Sequence, residues 1–245
     1  MADPRTSVVN KRLANVKRII AVSSGKGGVG KSLLACTLAL AMAKKGFKAG
    51  LFDLDFTSPS THLILGVEKI FPKEDKGLVP PIVHGLEYMS LVYYTGEYAA
   101  PLRGADVSNA LIELLSVTQW GKLDFLFLDM PPGIGDALLD LVRLIERVEF
   151  LIVATPSRLA FETVRKLACL LKELKIPVVG VVENMKISQT KTIQQQTQKM
   201  GLTYLGGIPF DPLVEEAIGD INKLTLTTLA KKTEAIAAKI KHRTT

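Results

Sequence analysis

Short β-branched apolar runs alternate along this chain with longer stretches in which apolar residues recur every three or four positions. "RIIAVSS" (Arg18–Ser24), "FKAGLFD" (Phe47–Asp53), "GLEYMSLV" (Gly85–Val92), "DFLFLD" (Asp124–Asp129), Phe150–Ala154, Val178–Asn184 and Thr203–Ile208 read as strands. Between them, Lys31–Lys45, Ala105–Thr118, Asp136–Ile145, Leu159–Leu174 and Thr190–Met200 read as helices, the first stopped by Gly46. Strands that are apolar on both faces need cover on both sides. The pattern therefore predicts an α/β fold of three layers, a mostly parallel central sheet flanked by helices. In such sheets ligands collect beyond the carboxyl ends of the strands, so residues just after each strand are where chemistry is sought. The Pro-, Gly- and Lys-rich segment Thr57–Pro81 breaks the alternation and reads as an irregular excursion at one edge.

Composition narrows the class. The 245 residues are 47% hydrophobic, enough for a buried core, and fit one domain, 1–245, with a basic segment 1–18 and a helix 224–245 as extensions. Net charge is +7, and its excess sits at the ends: Met1–Arg18 and Lys231–Thr245 each carry five basic residues against one acid. The ends read as solvated tails and the body as nearly neutral, so no basic groove for nucleic acid is expected. The longest apolar run, Leu33–Ala43, is too short to span a bilayer, and no secretory leader is visible. Two cysteines, Cys36 and Cys169, exclude a disulfide framework and point to the cytoplasm.

The candidate chemistry starts at "GKGGVGKS", Gly25–Ser32, which follows a predicted strand and opens a predicted helix. That context makes it a phosphate-binding loop: glycines let backbone N–H groups converge on phosphate oxygens, and the helix N-terminus adds a favourable field. Gly25, Lys26, Gly27, Gly28, Val29, Gly30, Lys31, Ser32 and Leu33 are the candidate nucleotide contacts. Lys31 would meet the β- and γ-phosphates and Ser32 would hold Mg²⁺. Asp129 ends "DFLFLD" ahead of a Pro/Gly loop, "DMPPGIGD", and is the candidate second Mg²⁺ residue. Asp53 and Asp55 end another strand one residue apart. Their side chains would point the same way and repel unless they share a cation or water.

Together "KGGVGKS", "DLDFTSPS", "RGADVSNALIELLSVTQWGKLDFLFLDMPPGIGD", "VVENM" and "GGIPFDP" resemble the Mrp/MinD group of P-loop ATPases (SIMIBI class), most closely its Mrp, or ApbC-like, branch. The resemblance covers roughly Ile19 to Asp211 and implies an ATP/ADP- and Mg²⁺-dependent enzyme that hydrolyses ATP slowly as a homodimer sandwiching two nucleotides. Lys26 would be the signature lysine that reaches the partner's nucleotide, alongside Lys31 and Asp55 as catalytic residues. Asp55 would orient the attacking water and Asp53 support the Mg²⁺ shell. Asn184, Pro209 and Asp211 would frame the adenine, because an amide offers both the donor and the acceptor that its edge requires.

The sequence also departs from that pattern. Mrp-type iron–sulfur carriers place a Cys-x-x-Cys pair soon after "ENM", whereas here Glu183–Gly201 contains no cysteine. Thiolates are the ligands such a cluster needs. Both cysteines read instead as small buried hydrophobes, and His62, His84 and His242 show no ligand spacing. Three readings stay open. The first is a metal-centre maturation factor, favoured as nickel insertion into hydrogenase with a HypA-type metallochaperone, as in the ATPase-type HypB proteins of some archaea. The second is an Mrp-like iron–sulfur carrier acting on client proteins. The third is a MinD- or ParA-like positioning ATPase on membrane or DNA, motivated by the basic amphipathic C-terminal stretch.

Overall fold

The computed structural model describes residues 4–95, 105–188 and 190–242. In chain order these form α1 (Pro4–Arg12), β1 (Val16–Ser24), α2 (Lys31–Lys44), β2 (Ala49–Asp53) and α3 (Thr61–Leu65). A small ribbon, β3 (Lys73–Glu74) and β4 (Leu78–Val79), precedes β5 (Ile82–Val83), β6 (Leu86–Ser90) and the short α4 (Val92–Thr95). Then come α5 (Ala105–Val117), β7 (Leu123–Asp129), α6 (Asp136–Leu144), β8 (Val148–Ala154) and α7 (Arg158–Glu173). The chain finishes with β9 (Val178–Lys186), α8 (Thr192–Lys199), β10 (Tyr204–Pro209), α9 (Leu213–Ala217), α10 (Ile221–Leu226) and α11 (Thr228–Lys241).

Among the described residues, eight strands make one sheet in the order β10–β9–β8–β1–β7–β2–β6–β5. All neighbours are parallel except β5, which runs antiparallel to β6 at the edge. Every residue of β2 and of β8 is buried, as strands covered on both faces must be. One face packs against α1, α5, α6, α7 and α8 through Val9, Leu111, Leu141, Leu167 and Ile193. The other packs against α2, α3, α9, α10 and α11 through Leu38, Ile64, Val214, Leu224 and Ile236. The expected three-layer α/β class is thus the fold observed. α2 lies between the sheet and α11, so Leu34, Leu38 and Met42 on one side and Thr37 on another are all buried, and the helix needs almost no polar face.

The two basic ends are not the solvated tails that their charge suggested. Residues 1–3 and 243–245 lie outside the described residues, but the rest of both ends is folded onto the core. Val9 and Leu13 are completely covered, a burial that contributes about 2 kcal/mol for each side chain. Arg12 donates from Nε to the Ser116 carbonyl at the end of α5. At the other end Ile236, Ala237 and Ile240 are buried, and the stretch expected as one helix divides at Thr227, whose Oγ1 caps α11 by accepting from Ala230 N–H at 3.1 Å. β1 starts at Val16 rather than Arg18, because Val16 is buried and pairs with Leu123. The excursion keeps its irregularity but holds α3 and the β3–β4 ribbon, and Leu78 bridges to Thr118.

Candidate active site

The order of the central strands assembles the site. β1 runs between β8 and β7, and β7 lies beside β2, so the ends of β1, β7 and β2 are neighbours. Val22 pairs with Asp129, and Asp129 pairs with Asp53. Past Ser24 the chain turns through Gly25–Gly30 directly into α2, with Gly28 and Gly30 at φ 73° and 78°. Gly30 has a second reason to lack a side chain, since a Cβ there would collide with the Asn184 amide. Gly25 is equally confined, by Thr163 of α7, a residue that no local pattern singles out.

Lys26, Gly27, Gly28, Val29, Gly30, Lys31, Ser32, Leu33, Asp55, Ser58 and Pro132 share a cleft of about 480 Å³. Beneath it Lys31 Nζ lies 2.5 Å from Asp129 Oδ1 and 3.3 Å from Ser32 Oγ. The Lys31 and Asp129 side chains are 7% and 0% exposed, so this is a buried ion pair. The other Asp129 oxygen, Oδ2, is buried with no hydrogen-bond partner. Burial pushes the Asp129 carboxyl up, with Lys31 and Ser32 pulling it back. Asp53 is pushed up to about 7, first by burial and then by the neighbouring Asp129 charge. Among the described residues of the site, buried carboxylates thus outnumber the one buried cation, and an oxygen is left over beside Ser32. Those features fit Mg²⁺, which keeps water and phosphate ligands and needs only one or two protein oxygens. Among the described residues no group of three or more His, Cys, Asp or Glu converges as a protein-only metal cage.

Lys26 is exposed at the cleft, its own carbonyl accepting from Ser24 Oγ at 2.9 Å. Asp55 is 7% exposed, and its Oδ1 accepts from Thr57 Oγ1 and Ser58 N–H, which folds the loop after β2 around it. Asp53 is placed differently from a metal ligand. Its Oδ1 accepts from Asp55 N–H at 3.1 Å, and its Oδ2 accepts from Thr61 Oγ1 at 2.7 Å and Thr61 N–H at 3.2 Å. Both oxygens are spent on the loop 55–60, so Asp53 shapes the site from below.

The residues expected at the base are less gathered. Asn184 is 2% exposed and lies behind the phosphate loop, its Nδ2 donating to the Val29 carbonyl at 2.9 Å. It braces the loop from β9. Asp211 accepts from Leu213 N–H through Oδ1 and from Thr228 N–H through Oδ2, so it ties the starts of α9 and α11 together. Pro209 is exposed at the end of β10, and neither it nor Asp211 borders the cleft; Ile218, between them and α10, does. Of the cysteines, Cys36 is buried in α2 and its thiol is pushed well up by burial and by Asp129 and Asp53. Cys169, expected to be buried, is exposed on α7, because the outward face of that amphipathic helix carries it.

Thr61 and Tyr88 were not recognised from sequence. A Ser-Thr pair at the end of a Pro/Ser loop is a helix-start signal, which could have placed Thr61. Nothing local marks Tyr88, which is set against Thr61 only by the β2–β6 pairing.

Comparison with known proteins agrees with the fold. The model of the ParA family described as NUBPL iron-transfer P-loop NTPase matches residues 15–244. An iron-sulfur cluster carrier protein of Aquifex aeolicus is 37% identical over 222 residues, covering 84% of this chain and 61% of the relative. The chain therefore spans about three fifths of the length of that relative. A nucleotide-binding protein of Archaeoglobus fulgidus, solved in complex with ADP, superposes with a TM-score of 0.76 at 30% identity, over 90% of this chain and 93% of that one. The cell division ATPase MinD of Pyrococcus furiosus, at 22% identity and a TM-score of 0.67 over 92% and 98%, shares the fold. The Aquifex relative is named for iron–sulfur cluster carriage and the family model for iron transfer, and neither name gives a counterpart to the expected nickel role with a HypA-type partner. No helix among the described residues is long and apolar enough to cross a membrane.

Proposed function

Since the chain belongs to the NUBPL iron-transfer P-loop NTPase family, we propose that it is an ATP-hydrolysing, dimeric switch that serves iron–sulfur cluster delivery. The observation that carries this reading is the buried Lys31–Asp129 pair with its spare Asp129 oxygen beside Ser32. Lys31 exchanges the Asp129 carboxylate for the β- and γ-phosphates of ATP, while the amides of Gly27–Leu33 wrap the phosphate chain. Ser32 and Asp129 are the residues that would hold Mg²⁺, and the ion, when bound, neutralises phosphate charge. Asp55 orients the attacking water, and Asp53 holds Asp55 in place. Lys26, exposed at the cleft, reaches the nucleotide of a second copy and acts there as an in-trans cation. At the base end Asn184 has spent one N–H on Val29 and lies behind the phosphate loop, so its remaining amide groups, with Pro209 and Asp211 beyond the cleft, would meet adenine only after the surrounding loops adjust to the nucleotide.

The cargo class follows from the relatives' names, but the donor set does not fit a cluster held by this chain alone. Cys36 is buried, Cys169 stands singly on a helix face, and Glu183–Gly201 offers no thiolate. The cluster ligands then come from a client or co-carrier, and this chain supplies the nucleotide-dependent step.

Nucleotide binding, phosphate release and size in solution test the scheme together. Asp55→Ala binds ATP and stays paired without turnover, whereas Lys26→Ala binds ATP within about twofold of the parent yet loses hydrolysis or ATP-dependent pairing. Hydrolysis by Asp55→Ala at the parental rate sinks the assignment of the water-orienting acid. Visible cluster absorbance after anaerobic reconstitution of the chain alone sinks the claim that its ligands come from elsewhere.

A further inference from the structure

The loop that carries Asp55 is fastened at both ends to one carboxylate, and that carboxylate is itself fastened from a strand on its far side. Asp53 accepts from the Asp55 amide at the loop's start and from Thr61, amide and hydroxyl, at its end. The Thr61 hydroxyl donates to Asp53, so its lone pairs are free to accept, and Tyr88 Oη lies 2.8 Å away. With the Thr61 amide and hydroxyl both donating to Asp53, the chain runs from Tyr88 to Thr61 to Asp53. Tyr88 stands across from Leu51 in the β2–β6 pairing, on the face that Asp53 shares two residues further along. Thr61 and Tyr88 are both fully buried, so water offers these hydroxyls no substitute partner. Between the fastened ends, Asp55, Ser58 and Ser60 face the cleft.

We propose that Thr61 and Tyr88 are positioning residues for hydrolysis: they hold the Asp53 carboxylate in the one orientation that fixes the loop 55–60, and with it Asp55, against the phosphate-binding loop. Neither reaches the cleft, and neither touches the residues that wrap phosphate. Loosening them therefore acts on turnover and spares nucleotide affinity. The proposal rests on the ATP-hydrolysing reading for its kinetic arm, but the loop geometry can be measured without it.

The test uses Thr61→Val, which keeps shape and backbone amide but removes the hydroxyl, with Thr61→Ser as the variant that restores it and Tyr88→Phe as the deletion from the other side. In the full chain, amide hydrogen exchange at Asp55–Thr61 is expected to quicken about tenfold in Thr61→Val, less in Tyr88→Phe, and to match the parent in Thr61→Ser. With ATP, kcat falls about tenfold in Thr61→Val while the affinity for a fluorescent ATP analogue stays within about twofold, and Thr61→Ser recovers turnover. Parental exchange across 55–61 in Thr61→Val overturns the proposal, whether or not the chain hydrolyses ATP. Equal losses of affinity and kcat in Thr61→Val and Thr61→Ser overturn it as well, because a merely structural role would behave that way. Failure of the parent to bind ATP, with the exchange difference intact, rejects the ATPase reading and leaves the clasp standing.

Discussion

Two ion pairs flank strand β1, one near each end, and they are built on opposite principles. At its start Arg18 meets Glu149 in a forked contact, Nε to Oε1 at 2.8 Å and Nη2 to Oε2 at 2.6 Å, while Nη1 donates to the Ile240 carbonyl. The guanidinium also lies over the Phe125 ring, so charge, hydrogen bonds and surface are all matched. At its end Lys31 meets Asp129 through a single oxygen, and the second oxygen is buried without a partner. The first pair is saturated and joins β1, β8 and α11. The second keeps unused bonding capacity in a place where desolvation makes that costly. A closed pair holds a fold together; an open one is poised to change partners.

The contrast can be broken most severely at Lys31. Lys31→Ala should weaken nucleotide binding about a hundredfold or more, roughly 3 kcal/mol, in a fluorescent-nucleotide titration. Arg18→Ala should instead cost about 3 kcal/mol of unfolding free energy, because the buried Glu149 carboxylate would lose the forked guanidinium, and nucleotide affinity should stay within twofold; urea unfolding and the same titration separate the two. Replacing both partners, Arg18→Met with Glu149→Leu, should return stability to within about 1 kcal/mol of the parent, since shape-matched apolar groups need no compensation. If that double variant is as unstable as Arg18→Ala, the pair is more than a satisfied charge contact. The smallest effect is expected next door on β1, where Lys17 pairs with Asp124 at 2.7 Å but is 77% exposed. Lys17→Ala should change unfolding free energy by less than about 0.5 kcal/mol, and that little should vanish in high salt.

The sequence made the open pair easier to find than the closed one. Gly25–Ser32 is a contiguous pattern between a strand and a helix, and Asp129 ends a strand whose seven residues include five apolar ones. Both could be read locally. Arg18 looked like part of a basic tail because Glu149 lies far along the chain, and nothing in either segment announces their meeting. α1 was missed for a related reason: Val8 and Val9 are its only large apolar residues, too few to show a helical period, and Val9 is covered by α5 and α6 rather than by neighbours in sequence. Asp53 was legible as a strand-end acid, but its task depends on Thr61 and Tyr88. Asn184 was likewise legible at the end of its strand, while its contact with Val29 depends on how β9 lies relative to the phosphate loop. Pattern located the groups; the sheet order decided whom they meet.

That sheet order also sets a timetable. β1 leaves the ribosome well before both strands that flank it, Leu123–Asp129 and Val148–Ala154. Parallel pairing over such separations carries a loop-closure cost before it brings any contact, so β1 cannot be seated early. Its apolar residues Ile19–Val22 must wait, exposed, until those strands have emerged. The phosphate loop is therefore written before the strands that shape it, and a nascent chain that stops short of residue 154 has no complete site for nucleotide to stabilise.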